Sequence, residues 1–105
     1  MRSVYERKAQ TELQEEGYLV DWKMRPPRMF RQGTYSPDYF GLFDLIAYKE
    51  NKPLRWISIK GIAGVPSAHH KEVKAFQLPK NNIKEIWARS ISKKKDHYWH
   101  KEIID

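Results

Sequence analysis

The sequence predicts an α/β or α+β domain built on a central mixed sheet with helices on its faces, and three observations carry that prediction. A helical period in the N-terminal residues is followed by three short segments of strand character. A second helical stretch then leads into two more strands. The chain of 105 residues, 40% apolar and 13% aromatic, is long enough for one modest core and one domain.

Residues 2–16 carry Tyr5, Ala9 and Leu13 at i, i+4 and i+8, with Gly17 as a stop, which predicts one amphipathic helix. Glu6 is seven positions from Leu13 and therefore about 20° from it on the wheel, at the edge of the buried stripe. A first-turn glutamate is also favoured by the helix dipole and commonly faces water. Residues 18–24 alternate as a strand. Residues 25–41 have no period, and prolines 26, 27 and 37 with glycines 33 and 41 forbid a regular element there. Residues 43–49 and 54–60 predict a hairpin turning at Asn51-Lys52-Pro53. Gly61 and Gly64 mark a flexible connection to a short helix, residues 67–78, with Ser67 as N-cap and Pro79 as terminator. Residues 83–91 and 98–104 are two further strands joined by the basic tip "SKKKDH".

Charge narrows the partner. The formal net charge is +7 and the isoelectric point near 9.7, an excess that favours a polyanion, nucleic acid being the commonest. A solvated lysine surface is the plainer alternative. The irregular stretch interleaves Arg25, Arg28 and Arg31 with Phe30, Tyr35, Tyr39 and Phe40, a mixture suited to phosphates and to stacking on bases. Lys93, Lys94 and Lys95 add a second basic cluster. No apolar run has the length of a membrane span, and Met1-Arg2-Ser3 leads directly into a charged helical pattern, so the expected setting is soluble and cytoplasmic. Without cysteine there is no disulfide and no thiolate zinc site, and the four histidines lack carboxylates at ligand spacing.

The stretch "FDLIAYKENKPLRWISIKG" puts an aspartate at the start of one strand and a lysine at the end of the next. With an odd-numbered turn in which Glu50 faces Leu54, Asp44 comes opposite Lys60 and Ile46 opposite Ser58. A slip of one residue would send Asp44 to the other face. Such a pair is either a cross-strand ion pair of little consequence or part of a site for metal-assisted phosphodiester hydrolysis. In the second case a carboxylate holds Mg²⁺ through oxygen and a lysine stabilises developing charge.

In order and spacing, "ERKAQTELQEEGY" before a strand, "GLFDLIAY", "RWISIKG", a short helix and "IKEIWARS" resemble the PD-(D/E)XK nuclease superfamily, particularly its small archaeal Holliday junction resolvase-like members. The resemblance runs from Tyr5 to Ile104. It implies a restriction-endonuclease-like αβββαβ core with the active site at the central hairpin, a Mg²⁺ or Mn²⁺ cofactor, a DNA substrate and a homodimer. It makes Asp44 the metal-binding aspartate, Lys60 the catalytic lysine, Glu6 the first-helix glutamate beside the metal, and the Ile59 carbonyl a further metal donor. Ser58 departs from the pattern, standing where the superfamily places an acid or glutamine. Pro37-Asp38 reproduces the "PD" letters, but Asp44 alone opens the apolar strand; Asp38 and Tyr39 border the substrate on this reading. His69 and His70 could serve as auxiliary polar groups, but at the start of a basic helix such residues are more often solvent-exposed. Two alternatives stand beside the nuclease: a nucleic-acid-binding protein of the same fold without catalysis, and a module that binds an acidic protein.

Overall fold

The computed structural model describes residues 4–22, 39–40, 42–92, 94 and 96–104. The elements follow the predicted order: α1 (Val4–Glu15), β1 (Leu19–Trp22), β2 (Leu45–Tyr48), β3 (Leu54–Lys60), α2 (Ser67–Ala75), β4 (Asn82–Ile91) and β5 (His97–Ile104). The five strands form one mixed sheet in the order β1-β2-β3-β4-β5. Only β3 and β4 run parallel, and α2 makes the crossover that a parallel pair needs. No helix among the described residues is long and apolar enough to cross a membrane.

Alternation along the strands divides the core in two. On one face Ala9 and Leu13 of α1 pack on Leu45, Ala47, Ile57, Ile59 and Trp87. On the other, Val73 of α2 packs with Phe43, Ile86 and Ile104, bordered by Trp56 and Phe76. The α1 face also buries an ion pair: both nitrogens of the Arg55 fork donate to Glu85, at 2.5 and 2.8 Å, and the Trp87 indole N–H donates to the same carboxylate at 2.8 Å. The Arg55 guanidinium lies over the Tyr18 ring. Hydrogen bonding to Glu85, working against burial, holds the Arg55 pKa above its ordinary range.

The turn between β2 and β3, the start of β2 and the ends of α2 depart most from expectation. The connection between β2 and β3 occupies residues 49–53. Asn51 turns it in the left-handed region at φ 65°, the Lys52 N–H bonds the Lys49 carbonyl at 3.1 Å, and Pro53 has no N–H to extend the ladder. Pairing is therefore Leu45 with Ile57 and Ile46 with Trp56, two residues short of the expected register, and Asp44 does not stand opposite Lys60. Strand pairing in β2 starts at Leu45, because the chain before it closes on itself through a bridge between Tyr39 and Phe43. The second helix is capped by Pro66 rather than Ser67 and ends at Ala75, ahead of Pro79.

What ends α2 is a side chain from another element. Lys84 of β4, 7% exposed, donates to the carbonyls of Val73, Lys74 and Phe76 at 2.8, 3.0 and 2.7 Å, neutralising the helix C-terminus where a cation is favoured. Lys84→Met keeps the buried stem and leaves those carbonyls without their charged donor. The expected cost is about 2–3 kcal/mol in urea unfolding at neutral pH.

Candidate functional site at the strand fork

Asp44 sits where β2 and β3 part. Its N–H bonds the carbonyl of Ile57 at 2.9 Å, although Ile57 already faces Leu45, so two residues of one strand stand against one of the other and the chain bends as at a β-bulge. The Phe43 carbonyl has turned back to accept the Tyr39 N–H at 2.7 Å. The next β3 donor on this edge, the Ile59 N–H, is taken instead by the Asp44 carboxylate, Oδ2 accepting at 2.7 Å. Beyond this point β3 continues to Lys60 paired with β4 alone.

The carboxylate is thus bound to the residue between Ser58 and Lys60. Those two side chains share the α2 face of β3 by alternation. A strand residue directs its C=O to the same edge as its N–H, so the Ile59 carbonyl also opens toward the fork. One carboxylate and one backbone carbonyl are thus the oxygen atoms at this point that could hold a hard cation. Among the described residues no three His, Asp or Glu side chains gather as a metal-binding group.

Glu6 comes from the opposite side of the sheet. It lies in the first turn of α1 and is half-buried. That turn is brought to the end of β3 by Gly61, where an added Cβ would meet the Tyr5 ring at 3.1 Å. Glu6 and Lys60 therefore belong to the same end of the sheet, from different layers.

Ser58 is fully buried, and its hydroxyl lies 2.8 Å from Nε2 of His69 in the first turn of α2. Its neighbour His70 reaches Glu102 of β5 at 3.1 Å, so successive histidines tie α2 to β3 and β5. His70 is partly exposed, in line with the expectation, whereas His69 turns inward to Ser58. A signal for His69 lay in Ser58 itself, since a hydroxyl between Ile57 and Ile59 in a buried strand needs a partner.

An aromatic cluster borders the fork. Tyr39 donates its phenol to Asp21 of β1, and burial first, then that bond, raise the phenol pKa well above its ordinary value, keeping it a donor. Trp56, two residues before Ser58 on the same face, is fixed by its indole N–H to Asn82 at 2.8 Å. Of the basic clusters, Lys94 is exposed in the β4–β5 turn, which Ser92 and Asp96 close with mutual bonds of 2.8 and 3.1 Å. Arg25, Arg28, Arg31, Asp38, Lys93 and Lys95 lie outside the described residues. Comparison of the chain with family models, with curated proteins and with solved structures found no match.

Proposed function

We propose that the protein is a metal-dependent DNA endonuclease of the PD-(D/E)XK type, acting on branched or otherwise structured DNA. The observation that carries the reading is the Asp44 carboxylate in the strand fork, bound to the residue that separates Ser58 from Lys60. The order of helices and strands around one mixed sheet agrees with it, as does the net charge of +7.

On this reading a phosphate enters the fork, where Asp44 and the Ile59 carbonyl hold Mg²⁺ or Mn²⁺, with Glu6 approaching from α1. The ion lowers the pKa of a bound water and screens the phosphate. Lys60 donates to the attacking water or to a phosphate oxygen on which charge develops. Ser58 and His69 act one step back, fixing the first turn of α2 over β3. Arg25, Arg28, Arg31 and Lys93, Lys94, Lys95 supply phosphate contacts. Two copies joined as a homodimer would offer one fork to each of two strands.

A second reading is favoured by Ser58 being committed to His69 where the superfamily places an acid: a nucleic-acid-binding protein that keeps the fold and has lost catalysis. Incubation with linear duplex, single-stranded and four-way-junction DNA separates the two. The nuclease cuts with Mg²⁺ or Mn²⁺ and is silent in EDTA; the binding protein retains DNA in both conditions and never cuts. In either case log affinity for duplex should fall with log salt at about −0.9 per phosphate neutralised, and affinity indifferent to salt would remove DNA as the partner.

A further inference from the structure

Phe40 is a large apolar ring held in water. It is 64% exposed, and its backbone lies in the left-handed region at φ 57°, which is sterically costly for a bulky residue. The turn that holds it is closed by three backbone bonds: Tyr39 N–H to the Phe43 carbonyl at 2.7 Å, and the N–H groups of Leu42 and Phe43 to the Tyr39 carbonyl at 3.0 and 3.1 Å. Phe43 fills the core below, fully buried.

Behind Phe40 is a fixed aromatic backing. Its ring centroid is 5.8 Å from Trp56 and 5.0 Å from Phe76, tilted 39° and 36° from them. Trp56 is anchored by Asn82, and the Phe76 carbonyl by Lys84. Leu19 and Ile103 are similarly exposed, but they are aliphatic and lie on the two edge strands. Phe40 is the exposed outer member of a supported aromatic cluster, and the turn that presents it runs directly into Asp44.

We propose that Phe40 is a stacking platform for an unpaired nucleobase, so that the chain prefers DNA in which single-stranded bases adjoin duplex, as in a fork, over uninterrupted duplex. This rests on the nucleic-acid reading above and names its substrate feature. Every base has a π-face, and stacking on an aromatic side chain contributes about 1–3 kcal/mol per base without regard to sequence. The net charge of +7 suits the polyanion that would bring such a base. Because residue 44 follows the turn, a strand whose base rests on Phe40 has its phosphates close to the fork.

The test compares wild type, Phe40→Ala and Phe40→Leu, the last keeping apolar contact with Trp56 and Phe76 but no flat ring. Affinity is measured in EDTA for a blunt duplex and for a forked duplex carrying 2-aminopurine at its first unpaired position. Wild type is expected to prefer the fork and to quench the 2-aminopurine. Both variants should lose fork affinity about tenfold, leave the probe bright, and bind blunt duplex as wild type does. Equal fork-to-duplex ratios in all three folded proteins would overturn the proposal, as would failure of wild type to bind DNA. A dimer that Phe40→Leu dissociates, with no change in that ratio, would assign the ring to a second copy of the chain and overturn it equally. Phe40-dependent fork binding without cleavage in Mg²⁺ or Mn²⁺ removes the nuclease and keeps the platform. Metal-dependent cleavage that Phe40→Leu leaves untouched on both DNAs does the reverse.

Discussion

Glu85→Ala is expected to destabilise the fold by about 3–5 kcal/mol, the cost of breaking a buried pair by removing one partner. Glu85 is 4% exposed, and its two oxygens accept three donors: two from Arg55 and one from the Trp87 indole. Alanine strands a guanidinium beneath α1 and leaves the indole N–H of a fully buried tryptophan without its acceptor. Glu85→Gln keeps the shape and one acceptor oxygen, so its loss should be smaller. Urea unfolding followed by circular dichroism measures both. A Glu85→Ala protein as stable as wild type would mean that the pair contributes orientation and no net stability. Arginine is charged throughout the accessible pH range, and the bond to Glu85 favours that form further.

The second large effect falls on activity. Lys60→Ala is expected to lower single-turnover cleavage by about 10²–10³, the range for removing one preorganised donor to developing charge. Metal binding should remain, because the donors assigned to the ion are the Asp44 carboxylate and the Ile59 carbonyl. Stability should change little, since Lys60 is half-buried at the end of its strand. The informative readout is the split: Mn²⁺ binding unchanged and cleavage lost. A Lys60→Ala protein that cuts at the wild-type rate removes the lysine from the chemistry, and one that loses Mn²⁺ together with cleavage assigns it to shaping the fork.

The contrast between what was and was not legible follows the range of the forces involved. The bounds of β3 could be read from Pro53 and Gly61 because both punctuate the chain locally. The helical period of Ala9 and Leu13 likewise reports a face that α1 buries for itself. Register was not legible, because it depends on Asn51 entering the left-handed region and on how many residues that turn then consumes. The end of α2 was misplaced because its terminator is Lys84, a β4 side chain. Asp44 and Lys60 stand out in the sequence only as charges near strand ends, and their assignment to a site rests on the resemblance; the bond from Ile59 to Asp44 arises only when the ladder fails and the carboxylate replaces a backbone acceptor. The bond that His69 makes was not legible, because its partner, Ser58, lies on a different element.

Asp44 caps the Ile59 N–H and, on the nuclease reading, holds a metal, and the asparagine variant separates the two. Asp44→Asn retains a side-chain oxygen for the Ile59 N–H and removes the charge, so the fork should stay closed and the fold intact. The measurement is the single-turnover rate of cutting a four-way junction in Mg²⁺ or Mn²⁺ by wild type and by Asp44→Asn, each shown to be folded and to bind the junction in EDTA. The expected result is metal-dependent cutting by wild type and none by Asp44→Asn, whose junction affinity is unchanged or raised because a negative charge facing phosphate is gone. Equal cutting by the two proteins, or none by wild type on any DNA offered, would contradict the account and leave Asp44 as the cap of a strand edge.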